Sequence, residues 1–212
     1  MIRNCFKNAL YLLVFIAFGS AIAGSYDDFF IAIRNDNAGV VNDLLERGFD
    51  PNTRNAKGQP GLTVAMQEQS PKAARALLNH PTIDVNALNQ AGESALMMAA
   101  LKGDLASSQL LLERGALVNQ SGWSPLHYAA TGPEPKIVKL LLDSGADIDA
   151  GSPNGSTPLM MAAQYGSEDS IKLLLDRGAD AKRRNQLDMQ ASDFARRAGR
   201  DSLAKRLDQA QR

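Results

Sequence analysis

Side chains able to do chemistry are sparse in this 212-residue chain, with histidines only at His80 and His127 and a single cysteine, Cys5. Covalent catalysis needs a thiol or hydroxyl beside a base, and a structural zinc needs clustered Cys and His, so most nucleophilic and zinc chemistries lack their parts. No Gly-rich phosphate loop is present. Carboxylates are plentiful, and Asp147 and Asp149 in GADIDA lie close enough in sequence to form an acid pair or a weak calcium site. Asp50, Asp84 and Asp180 recur in similar polar turns, so bracing of the turn backbone is the expected role. His80, followed by Pro81, reads as a solvated turn residue. The doubled methionines Met97-Met98 and Met160-Met161 read as inward-facing, adaptable core filling.

The elements that carry these residues repeat. GESALMMAALKG at 92–103 and GSTPLMMAAQYG at 155–166 are nearly the same phrase, 63 residues apart. A catalytic motif is needed once per site, so duplication at a distance points to a recurring structural unit. Ala32, Ala65, Ala99, Ala129, Ala162 and Ala195 fall in register with spacings of 33, 34, 30, 33 and 33. A leucine follows each by twelve residues: Leu44, Leu77, Leu111, Leu141, Leu174 and Leu207. The constant step implies a fixed pair of short helices, and the varying period implies a tolerant loop between units. Ser124-Pro125 and Thr157-Pro158 suit entry to the first helix, with a capping hydroxyl and proline at the first turn. Ser70-Pro71, Asp104 and Ser167 suit entry to the second, and Gly48, Gly115, Gly145 or Gly178 suits its end. Between units run polar stretches such as GADIDAGSPNGS, which favour a turn or hairpin.

The first 23 residues are read separately. A basic start at Arg3 and Lys7, an apolar run from Ala9 to Phe18, and small residues at Ala21 and Ala23 form the layout of a secretory signal peptide. Cleavage before Gly24 is the expectation. The alternative is an uncleaved anchor, because the uncharged stretch from Asn8 to Tyr26 covers 19 residues. Cleavage removes Cys5, leaving a chain held together by packing alone and indifferent to an oxidising compartment such as a bacterial periplasm.

SPLHYAA at 124–130, followed by IVKLLLDSGADIDA, and STPLMMAA at 156–163, followed by SIKLLLDRGADA, resemble the ankyrin repeat family and its T-P-L-H-x-A signature. The resemblance implies an all-α, ankyrin-type helical solenoid of about six helix-turn-helix units with hairpin loops. The units fall near 24–54, 55–88, 89–118, 119–151 and 152–184, with a capping unit at 185–212. It also implies that His127 hydrogen-bonds between neighbouring units. Two departures stand out: Pro60-Gly61 replaces Thr-Pro, and the hairpin before Gly122 is three residues short. Capping units need polar outer faces. The last one fits, with Phe194, Ala195, Leu203 and Leu207 inward and charge elsewhere.

Residues 181–212 carry nine basic and four acidic side chains, whereas 24–180 carry 12 basic and 19 acidic. Solvation of the cap is the expected use of that charge, with contact to an anionic surface as the other use. Nucleic acid is not an expected partner, since basic residues do not recur with aromatics along the repeats. The resemblance implies a non-catalytic protein-binding module, and the signal layout adds the periplasm; the chain is expected to be monomeric, with no cofactor, no bound metal and no stable membrane insertion after cleavage. The hairpin tips and first helices would meet the partner through Arg34, Lys57, Gln59, Gln67, Glu68, Glu93, Leu101, Lys102, Trp123, Thr131, Asn154, Ser156, Gln164 and Tyr165. An immunity-type inhibitor of a toxin or resident enzyme is the alternative, and a hydrolase with an acidic pair in the groove is a further one. Trp123 reads two ways, as an anchor for the partner or as a ring packed on the neighbouring hairpin.

Overall fold

The computed structural model describes residues 24–209, and the expected signal segment, with Cys5, lies outside them. Among the described residues twelve helices follow one another in pairs. Helix α1 spans residues 24–34, followed by α2 (Ala38–Glu46), α3 (Gly61–Gln67), α4 (Pro71–Asn79), α5 (Ala95–Lys102) and α6 (Leu105–Glu113). Then come α7 (Pro125–Thr131), α8 (Pro135–Asp143), α9 (Pro158–Tyr165), α10 (Glu168–Asp176), α11 (Ala191–Arg197) and α12 (Asp201–Gln209). The odd-numbered helices from α3 to α11 pack successively against one another, as do the even-numbered ones from α2 to α10, giving two layers.

These helices are seven to nine residues long from α2 onward. Helices so short are unstable alone in water, so neighbours supply the stability. The alanine row at 32, 65, 99, 129, 162 and 195 is at most 3% exposed, and the leucine row from Leu44 to Leu207 at most 6%. A methyl group lets adjacent inner helices approach, and each leucine fills the space between its own pair and the next. Gly61 reflects the same closeness, since a Cβ there would lie 2.9 Å from a ring carbon of Phe29.

Helix ends follow the expected chemistry with one correction. Asp104 and Ser167 accept from the backbone N–H groups of Ser107 and Ser170, at 2.9 and 3.0 Å. Ser70 makes no side-chain cap. Asp36, from the preceding unit, does that work instead, accepting from the N–H groups of Lys72 and Ala73 at 2.7 and 2.9 Å. At the start of α7 the Ser124 N–H donates to His127 Nδ1 at 3.1 Å, one half of a capping box, and the Ser124 hydroxyl lies 2.8 Å from the same nitrogen. Gly48, Gly115, Gly145 and Gly178 end the outer helices at φ between 85° and 92°, where a side chain would be strained.

Asparagines stitch unit to unit. Asn52, Asn86 and Asn119 accept from the N–H of Asp84, Leu117 and Asp147, and donate to the carbonyls of Thr82, Gly115 and Gly145. The turn aspartates act as expected: Asp50, Asp84, Asp147 and Asp180 each accept from the N–H two residues on. Much of the cap's basic charge is also spent internally. Arg200 donates to the carbonyls of Ala162, Ala163 and Gly166 at 3.0–3.2 Å and pairs with Glu168, which also meets Arg206.

Candidate functional site

Each inner helix and its leading hairpin present three rows toward one face. The first row follows the hairpin glycine at Gln59, Glu93, Trp123 and Ser156, and follows Asp188 at Met189. The second holds Ile31, Val64, Met98, Tyr128, Met161 and Phe194, and the third Arg34, Gln67, Leu101, Thr131, Gln164 and Arg197. The third row lies two residues beyond the alanine row, on a side of the helix that neighbouring helices leave uncovered.

Of the fourteen residues expected to contact a partner, Arg34, Lys57, Gln67, Glu68, Lys102, Asn154 and Tyr165 are exposed, Tyr165 to 59%. Gln59, Glu93, Leu101, Trp123, Thr131 and Gln164 are half-buried. Ser156 is a correction. It is 2% exposed because the neighbouring units use it as a brace. Its carbonyl accepts from His127 Nε2 at 2.9 Å, and its hydroxyl accepts from Asn185 at 3.0 Å. Met161 is a second correction, for it is half-buried and not core.

Seven of the expected residues line two clefts. Near α1, Arg34, Lys57, Gln59 and Glu68 line a cleft of about 460 Å³ with Tyr26, Phe30, Ile31 and Val64. Toward the middle of the stack, Leu101, Trp123 and Thr131 line one of about 210 Å³ with His127, Tyr128 and Met161. Sequence reasoning missed Tyr128 and Met161 at this surface. Tyr128 fills the variable position of T-P-L-H-x-A, and register with Met161 was the available signal.

The aromatic cluster is held rigidly. Trp123 meets the rings of His127 and Tyr128 edge-on, with centroids 5.3 and 6.5 Å apart. Tyr128 Oη donates to Glu93, 2.7 Å away and 35 residues earlier. Burial and the Glu93 carboxylate both push the Tyr128 phenol up, so it stays a neutral donor. Burial lowers the His127 pKa, and its surroundings fix the tautomer. Nε2–H donates to the Ser156 carbonyl, which leaves Nδ1 to accept the Ser124 N–H at 3.1 Å. His127 thus couples two units, and both its nitrogens are occupied.

The Asp147 and Asp149 carboxylates serve the turns. Asp147 holds the Asp149 N–H, and the Asp149 carboxylate accepts from the Asp180 N–H at 3.0 Å, so this acid pair is committed to turn backbone. Among the described residues no group of three or more His, Cys, Asp or Glu side chains converges.

The comparisons agree with the geometry. A family model for ankyrin repeats in three copies matches residues 29–121 and 115–185. The chain belongs to the ankyrin repeat family. It is 31% identical over 119 residues to the human transient receptor potential cation channel subfamily A member 1, covering 55% of this chain and 11% of that protein. It is also 31% identical over 125 residues to a putative ankyrin repeat-containing protein of Treponema pallidum, covering 57% of this chain and 42% of that one. The matched stretch is thus under half the length of either relative. Among solved structures, a chain of the Bdellovibrio bacteriovorus predatory endopeptidase Bd0816 in complex with immunity protein Bd3460 superposes with a TM-score of 0.75 at 24% identity. That match covers 87% of this chain and 98% of the other, and it establishes the shared fold.

Proposed function

We propose that the chain is an exported, non-catalytic protein-binding module that grips one partner with its inner helices and hairpin tips. The observation that carries this reading is a contrast between rows. The alanine and leucine rows repeat one residue type in every unit, whereas the third surface row reads Arg, Gln, Leu, Thr, Gln, Arg. A surface needed only for solubility has no use for a half-buried Trp-Tyr-Leu-Met cluster at its middle with an arginine at either end, a distribution that suits an interface core and rim. Export rests on the basic, apolar, A-x-A order of residues 1–23. No helix among the described residues is long and apolar enough to cross a membrane.

One narrower reading is favoured by the near full-length match to a chain from an endopeptidase–immunity protein complex. In it the partner is an exported hydrolase whose active site the stack blocks. Affinity capture from a periplasmic extract, followed by mass spectrometry, tests both readings. One retained protein, released about thirtyfold more easily by Trp123→Ala with little change in melting temperature, is the expected result, equivalent to about 2 kcal/mol. No partner retained above background, or equal retention by a stack with several face residues replaced, would remove the proposal.

A further inference from the structure

The cleft formed by Leu101, Trp123, His127, Tyr128, Thr131 and Met161 lies beside a departure from the repeat. Between each stitching asparagine and the hairpin glycine lie the same six steps at Asn52 to Gly58 and Asn86 to Gly92, but only three at Asn119 to Gly122. The lost segment is the one that braces other hairpins, where Asn55, Asn89 and Asn185 accept two backbone N–H groups each. Trp123 follows this shortened hairpin directly.

The polar atoms of the cleft's histidine, tyrosine and threonine are already spent. Tyr128 donates to Glu93, Thr131 Oγ1 donates to the His127 carbonyl at 2.8 Å, and both His127 nitrogens are engaged. No charged side chain lines it. A charged group entering would lose its hydration without a counter-charge. An apolar cavity of about 150 Å³ suffices for benzene, so the 210 Å³ here accommodates one aromatic ring with its methylene. Ring edges from Trp123 and Tyr128 and the Met161 sulfur offer the contacts that an aromatic guest prefers. Among the described residues the Trp123 indole N–H has no hydrogen-bond partner, so the cluster keeps one donor to give.

We propose that this cleft receives one aromatic side chain, phenylalanine foremost, displayed on a loop of the protein partner, and that the Trp123 indole N–H donates to a backbone carbonyl beside that ring. The proposal rests on the reading of this face as protein-binding, but its test does not need the partner. Trp123 is the only tryptophan in the chain, so its emission reports on the cleft alone. Titration of the full chain with N-acetyl-phenylalaninamide should change that emission saturably in the millimolar range, while N-acetyl-lysinamide should not. Leu101→Lys and Thr131→Arg, at half-buried positions, should each weaken the response at least about tenfold, with thermal melting showing that the variants fold. A flat titration, an equal response to the lysine amide, or indifference to both substitutions in folded protein would overturn the proposal. Failure here with a partner still lost on Glu68→Lys would remove the cleft and leave the binding face. Normal uptake of the phenylalanine amide by a chain that captures no protein would do the reverse.

Discussion

Helices α5 and α9 are written in almost the same letters, yet they do different things. Met97 and Met160 are both buried, at 0% and 1% exposure. One residue on, Met98 is 5% exposed and core, whereas Met161 is half-buried and walls the cleft beside Trp123. The residue leading each phrase differs in kind: Glu93 before α5, Ser156 before α9. Glu93 reaches the Tyr128 hydroxyl and ties the next unit's ring back toward its own, while Ser156 turns inward to His127 and Asn185. A repeat therefore fixes where a side chain starts, and the neighbouring unit decides whether it is covered.

The comparison breaks most severely at its outer end. Helix α9 is flanked by α7 and α11, and removal of residues 185–212 takes away α11, α12 and the Arg200 bonds to the α9 carbonyls. The truncated chain should aggregate or lose most of its stability, as size-exclusion chromatography and thermal melting would show. A monomeric truncation with an unchanged melt would disprove the capping role.

Alanine substitutions then weigh the two methionines against each other. Met98→Ala should cost about 2–4 kcal/mol in urea unfolding, because it opens a cavity in packed surroundings. Met161→Ala should cost under about 1 kcal/mol, since solvent already reaches that side chain. Equal losses would mean that burial at the two positions is the same in solution.

Tyr128→Phe tests the link through Glu93. Losing one hydrogen bond to a carboxylate at a half-buried site should cost about 1–2 kcal/mol. A double-mutant cycle with Glu93→Gln should show that the two losses do not add. Additive losses would separate the pair.

The smallest effect is a slope with pH. Burial lowers the His127 pKa below its ordinary 6.5, so the unfolded chain binds the proton more readily than the folded one. The His127 contribution is fully present above pH 6.5 and declines as pH falls from there toward the lowered folded-state value. A proton on Nδ1 would confront the Ser124 N–H that now donates to it. Melting temperatures followed from about pH 7.5 to about pH 5 should fall in the native chain and fall less in His127→Gln. Identical slopes would mean that another group carries the dependence.

Much of this was legible in the letters. The alanine and leucine rows gave the period, the helix pair and the buried faces, because packing between identical neighbours admits few residue types. The turn aspartates and the inward Phe194 and Leu207 followed from the same regularity, and His127 between units followed from the ankyrin resemblance. Contacts that cross units at irregular places were not legible. Asp36 capping α4, Ser156 acting as a brace, and Met161 lining a cleft each depend on what stands about 30 residues away in the next layer.

By itself, then, the sequence determined the unit, its repetition and the ankyrin membership, since a short helix pair can bury its apolar side only against a copy of itself. Tertiary structure alone decided which surface residues meet. The three residues missing before Gly122 are visible in the sequence. The cleft beside them, a Trp123 ring against His127 and Tyr128 with Leu101 and Met161, arises only when three successive units stack, because a side chain's exposure is set by neighbours that the chain brings near by folding.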